Sequence, residues 1–366
     1  MGQPNNMNIP QWIEHIRRAN DNGEIAALAA DFDKVFEAAT LDDSARVDVL
    51  LTAGEVLYEK ARYKDAQRLL EQGAEQAQKI HSKGKHALAL GLLADLERVQ
   101  GNYRNALSRL SQARGVLGEF PEQDKDISAR LHIISGLSNM SLGEYENARH
   151  AYYEAYQTYS QIGDMKGKAL AANRLGTIAT MKADYAEAEK YLQESLNLAK
   201  QLDDRHGMAG ALLNLGEIQR HLGQFAEARA YYVEASALFE ELGLHRGMCI
   251  AENNLGHIAV HLRDYPTAKR HYLTALECAR IADLTPDKLD TLAGLALLCV
   301  QRDLCHDAAR LIQFILRHPA RLQETEEFLE PAQKIVAERG AQFSGEIPPP
   351  DQLDQVIAAT LEKVFA

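Results

Sequence analysis

The sequence predicts an all-α chain built of stacked helical hairpins, and three observations carry that prediction. Segments opening at Gly167, Gly207 and Gly247 repeat one pattern, so the period is 40. A fixed register extends the period outward through Tyr63, Tyr103, Tyr145, Tyr185, Phe225, Tyr265 and Cys305, with steps of 40 except for one of 42. Three residues after each stands an alanine (Ala66, Ala106, Ala148, Ala188, Ala228, Ala268, Ala308), and nine before each stands glycine or alanine (Gly54, Ala94, Gly136, Gly176, Gly216, Gly256, Ala296). The third observation is hydrophobic spacing: Met208, Leu212, Leu215 and Leu222 recur at steps of 4, 3 and 7, the stripe of an amphipathic helix. A small residue on each of two helices lets them cross closely, and the aromatic is expected to fill the gap at the turn. Units of this length bury their apolar faces by stacking on one another.

Taken in order, residues 1–41 hold two short helical patterns, 11–19 and 24–38. They read as an N-terminal cap or a degenerate repeat, with Trp12 as its packing anchor. Residues 42–318 hold seven hairpins. The two extra residues between Tyr103 and Tyr145 fall in the stretch 118–125, where Pro121 cannot continue a helix, so a longer connection and a possible exposed contact are expected there. Pro319 ends the seventh hairpin, and 319–366 reads as C-terminal capping helices: one over 325–339, an irregular stretch over 340–350, and one from Asp351. That last helix lines up Leu353, Val356, Ile357, Leu361, Val364 and Phe365 on one face. Such a stripe needs a surface to pack on, either the last repeat or a partner.

Leu-Gly on the first helix, Gly-x-Tyr-x-x-Ala opening the second, and a further small residue seven on (Ala155, Ser195, Ala235, Ala275) resemble the tetratricopeptide repeat. The resemblance covers about three quarters of the chain and implies a right-handed α-solenoid, a superhelix of about seven hairpins. The usual repeat closes with proline and is shorter by six residues; here the closing proline is absent and each hairpin gains roughly 9 Å of helix. This long variant looks like the sensor arms of bacterial regulatory ATPases, like peptide receptors and like kinesin light chains. The tail, with Leu-Ala-Gly-Leu-Ala and His-Pro-Ala, resembles the ATPase sensor arms in particular. Members of this kind bind partners, and the scaffold does not name the partner.

Composition narrows the function classes. Lys and Arg number 40 against 52 Asp and Glu, a formal charge of -12, which disfavours direct nucleic-acid binding. No apolar stretch approaches the ~20 residues of a membrane span. The opening Met-Gly-Gln-Pro-Asn-Asn lacks the regions of a signal peptide, so a cytoplasmic protein is expected. Cys249, Cys278, Cys299 and Cys305 are expected as reduced core residues.

In such repeats the first helices line the concave wall. Counting two before, one after and five after the fixed small residue selects its inner positions. These are Arg174, Thr177 and Met181 in copy four, Asn214, Glu217 and His221 in copy five, and Asn254, His257 and His261 in copy six, with Asn173, Arg220 and Asn253 at the edge. Copy three presents Ile134, Leu137 and Ser141, and copy seven Gly294, Leu297 and Gln301, so the groove is expected to be polar in the centre and apolar on both sides. An asparagine amide can pair with both halves of a peptide unit. In the peptide-binding members that this chain resembles, an asparagine before Leu-Gly has that role, which Asn214 and Asn254 match and Arg174 does not.

His257 and His261, four apart, have spacing a metal could use, but the pair lacks the glutamate of a metalloprotease helix. The stretch 163–169 misses the spacing and the Ser or Thr of a phosphate loop and follows a helix, so it reads as a turn. No metal, no cofactor and no catalytic residue is expected. The sequence reads as a non-catalytic module that holds a protein or peptide segment in its groove as a sensor or adaptor. A small-molecule-sensing arm of an ATPase system and a scaffold using its convex face or end caps are the alternatives.

Overall fold

The computed structural model describes residues 42–118, 124–321, 323–341, 345 and 347–364. The expected N-terminal cap with Trp12, most of the 118–125 connection, and Phe365 lie outside the described residues.

Sixteen α-helices and no strand occur among the described residues. They are α1 (Asp43–Glu59), α2 (Tyr63–Lys79), α3 (Lys83–Val99), α4 (Tyr103–Leu117), α5 (Lys125–Ser141), α6 (Tyr145–Ile162), α7 (Met165–Met181), α8 (Tyr185–Gln201), α9 (Arg205–His221), α10 (Phe225–Glu241), α11 (His245–His261), α12 (Tyr265–Ile281), α13 (Thr285–Gln301), α14 (Cys305–Arg317), α15 (Gln323–Glu338) and α16 (Leu353–Val364). Odd-numbered helices through α13 are the first helices of hairpins, and each second helix begins at the register residue Tyr, Phe or Cys. The fold class is an all-α solenoid.

Local chemistry sets these boundaries. Asp42, Asp184, Asp204 and Asp264 cap helix starts by accepting the backbone N–H three residues on. Each hairpin turn places one residue at positive φ two before the second helix: Ala61, Gly101, Gly143, Ala183, Gly223, Arg263 and Asp303. The following N–H then bonds back over the helix end, as Arg62 does to the Leu57 carbonyl, which ends the first helix and reverses the chain.

The chain divides into two compact units, residues 1–178 and 179–366. In the first, hairpins α1–α2, α3–α4 and α5–α6 follow one another, with α1, α3 and α5 in contact as one layer. Its core holds Leu50, Leu69, Leu93, Leu110 and Leu131. In the second, hairpins α9–α10, α11–α12 and α13–α14 do the same, with α9, α11 and α13 side by side. α15 packs on α13 and α14, and α16 on α13. Leu353, Val356, Ile357 and Val364 of α16 join the core formed by α13 and α14, so the last helix is packed down on the final hairpin.

All seven register alanines are fully buried. The small residue of the first helix faces position eight of the second helix. A Cβ on Gly136 would meet the Tyr152 ring at 2.3 Å, on Gly216 the Tyr232 ring at 2.7 Å and on Gly256 the Tyr272 ring at 2.5 Å. These three tyrosines are among the largest fully buried side chains. The turn aromatics behave differently from expectation: Tyr145 is 41% exposed, and most of the others are half-buried. Tyr185 and Phe225 lie against His221 and His261 of the next hairpin, whereas Tyr63 lies against Tyr58 of its own.

Candidate functional site

In the second unit the expected inner residues come from α9 and α11. Glu217 is the centre of a polar cluster. It takes a hydrogen bond from the Arg220 guanidinium, pairs with His221 Nε2 at 2.9 Å, and accepts from the Tyr232 hydroxyl at 3.3 Å. Burial works against ionisation of Glu217, but the His221 hydrogen bond and the Arg220 charge outweigh it and hold its carboxyl down at about 2. The same carboxylate, against the cost of burial, keeps Arg220 more firmly charged. The Tyr232 hydroxyl is pushed well up by burial and by the Glu217 charge.

Asn214 and Asn254 are both half-buried at the same register position on neighbouring helices. Asn254 spends one amide hydrogen on the Ile250 carbonyl at 3.1 Å, which fixes its orientation and leaves its oxygen for other contacts. His261 is exposed and stacks on Phe225.

Two expected members of the site are covered instead of open. Asn253 is buried; it accepts from the Thr291 hydroxyl at 2.8 Å, so it joins α11 to α13 inside the core instead of sitting at a groove edge. Helical geometry separates it from Asn254 by only 100°, which suffices to turn one inward and the other out. His257 is covered by the Phe328 ring of α15, with centroids 4.5 Å apart. Burial pushes His257 down to about 3, with help from the positive Arg220, so it is neutral over the physiological range. No group of three His, Cys, Asp or Glu placed to hold a metal occurs among the described residues.

In the first unit, Arg174 and Thr177 are half-buried on α7, the threonine hydroxyl bonding the Asn173 carbonyl at 3.0 Å. The Arg174 charge acts on the buried Tyr152, whose hydroxyl burial nonetheless pushes up to about 12. Ile134 was expected in an apolar stretch of groove; it is instead a core residue, packed with Ala113, Leu117 and Leu131. Leu137 alone of that pair keeps partial exposure.

Sequence reasoning overlooked the tyrosines that back these residues. Tyr152, Tyr232 and Tyr272 lie seven after the turn residue, and carrying the register that far exposes the series. Phe328 lies past the last hairpin, and nothing in the period points to it. The four cysteines are free and buried, and burial pushes the Cys249, Cys278 and Cys299 thiols up, the last to about 12.

Comparison with known proteins follows the same lines. The tetratricopeptide repeat family model matches residues 128–201 and 167–241. No curated protein matches the chain. Among solved structures, aspartyl phosphate phosphatase F from Bacillus subtilis is similar at 16% identity, with 100% of this chain and 95% of that one covered and a TM-score of 0.60. A Rap protein complexed with competence and sporulation factor is similar at 17% identity, 90% and 98% coverage and a TM-score of 0.56. A signal transduction ATPase with numerous domains and a tetratricopeptide repeat sensor, from Pyrococcus horikoshii, shares 14% identity over 94% of this chain and 48% of its own, with a TM-score of 0.59. The present chain thus spans about half of that ATPase. At these identities the likeness is one of fold. Together with the 40-residue register, these matches show an all-α helical-repeat fold, in which residues 128–241 match the tetratricopeptide repeat.

Proposed function

We propose that this protein is a non-catalytic binding module whose first helices hold an extended protein or peptide segment. The observation that carries this reading is the pairing of Asn214 and Asn254 at one register position on adjacent helices, half-buried beside the ordered Glu217–Arg220–His221 cluster. Side chains held by fixed hydrogen bonds lose little freedom when a ligand arrives, and each asparagine amide offers a donor and an acceptor that can pair with both halves of a peptide unit. The solved Rap structures, one complexed with competence and sporulation factor and one with the Phr* peptide, support a peptide-sized ligand on this architecture. Regulation, as sensor or adaptor in a cytoplasmic setting, is the role that fits a module of this kind.

The test begins with pull-down of the full chain and mass spectrometry to identify the segment, followed by titration of the matching synthetic peptide. Asn214→Ala with Asn254→Ala should weaken binding by about tenfold to a hundredfold, each lost polar contact contributing about 0.5–1.5 kcal/mol. Undiminished affinity in the double variant would remove the site from this face and favour a scaffold that binds through its convex side or ends. A phosphatase assay on an aspartyl-phosphate substrate addresses the enzymatic alternative raised by the Bacillus subtilis structure, and turnover would overturn the non-catalytic reading.

A further inference from the structure

Gly294 stands where the two preceding copies carry Asn254 and Asn214. A Cβ at this position would come within 2.6 Å of the Tyr272 hydroxyl and 2.8 Å of His257 Nε2, so the bare backbone is what lets these two atoms approach α13. Both atoms are buried, and neither has a hydrogen-bond partner among the described residues. The Phe328 ring lies over the His257 imidazole, tilted by 23°. Its helix, α15, seats Leu329, Ala332 and Val336 in the core and is tied at its ends by the Thr325 hydroxyl on Asp290 of α13 and by Arg339, just past α15, on Asp303 in the turn after α13. A hydrocarbon ring thus lies against an imidazole whose Nε2, like the neighbouring Tyr272 hydroxyl, goes unbonded, which is poor chemistry for a permanent core.

We propose that α15 is an internal occupant of the binding face: Phe328 holds the His257–Tyr272 site shut, and a partner side chain that combines an aromatic ring with a hydroxyl, a tyrosine above all, displaces it. The ring of such a side chain takes over the stack, and its hydroxyl bonds one of the two bare polar atoms. This inference rests on the reading that partners bind along the first helices. It adds that α15 competes with them.

Carbethoxylation of His257 by diethyl pyrocarbonate, followed by mass spectrometry in the full chain, reads the state of this site, with the exposed His261 as internal reference. His257 should react slowly in the native chain. Phe328→Ala should speed it by about tenfold, the size of one lost aromatic contact. Thr325→Val, which loosens α15 without touching the imidazole, should act in the same direction. Circular dichroism melting confirms that both variants fold; unchanged His257 rates in folded variants would overturn the proposal. Two synthetic peptides of residues 323–338, one native and one carrying Phe328→Tyr, are then added to the Phe328→Ala chain. Both should restore protection, the tyrosine version at about tenfold lower concentration. Protection by neither, or by both equally, would overturn the displacement by tyrosine. Failure of the two readings is separable. Partner binding that needs Asn214 and Asn254 but is indifferent to Phe328→Ala defeats this inference alone, whereas an opened His257 with binding indifferent to both asparagines defeats the groove alone.

Discussion

Tyr185 stacks on His221, ring centroids 5.7 Å apart and planes 20° from parallel, and one period later Phe225 stacks on His261 at 5.0 Å and 22°. The first residue of one second helix therefore meets the last residue of the next first helix. In these two copies the aromatic joins neighbouring hairpins, which explains its partial exposure: it lies at the rim of an interface. A double-mutant cycle on Phe225→Ala and His261→Ala should show a coupling of about 0.5–1.5 kcal/mol in urea unfolding. A coupling of zero would mean that the stack contributes no stability.

Close helix crossing depends on the fully buried alanine series. Ala228→Phe should overpack the α9–α10 crossing and lower stability by on the order of 1–3 kcal/mol. Gly256→Ala should act similarly, because its new methyl would need the Tyr272 ring to move. Thermal melting decides both, and an unchanged midpoint for either would show that the crossing is slack.

Adjacent asparagines should respond in opposite ways. Asn253→Ala removes the side-chain bond between α11 and α13, leaving the Thr291 hydroxyl its Asp287 carbonyl partner, and should cost about 1–1.5 kcal/mol. Asn254→Ala removes a bond to a carbonyl that the helix already uses and should stay within about 0.5 kcal/mol of the parent. Equal losses would show that Asn254 too is structural, which would undercut its assignment to a binding face.

Glu252 is buried between the Ser236 hydroxyl at 2.7 Å and His271 Nδ1 at 2.7 Å, joining α10, α11 and α12. Glu252→Ala leaves both partners unbonded inside the protein and should cost about 3–5 kcal/mol. Glu252→Gln, which keeps the shape and an acceptor, should cost less. A glutamine variant as unstable as the alanine one would indicate that the charge, rather than the hydrogen bonding, is what the site requires.

Acid should act through His257. The folded protein depresses this group from its ordinary 6.5 to about 3, chiefly by burial, with the charges of Arg220 and His261 adding and that of Glu217 opposing. Because the unfolded chain takes up the proton first, the stability tied to neutral His257 is complete above pH 6.5 and declines as pH falls toward 3. Melting temperature measured against pH should therefore fall less steeply over this window in His257→Gln than in the parent. Parallel curves would show that the imidazole is accessible to protons in the folded state.

The repeat register was legible in the sequence because it is written locally: each hairpin turns, caps and crosses by the same few residues, and a period of 40 repeats them along the chain. Ala228, Gly216 and the position of Asn214 follow from that register alone. The sequence did not reveal that Asn253 is core while Asn254 is not, because a helix carries both within 100° and only the crossing with α13 divides them. Nor did it reveal Ile134 as core, since the packing of α4 against α5 decides which apolar residues close the interface. The covering of His257 by Phe328 is the clearest case. It brings together residues from outside and inside the periodic region, and it needs the space left by Gly294; only the tertiary structure sets such a contact, because no local rule relates the two positions.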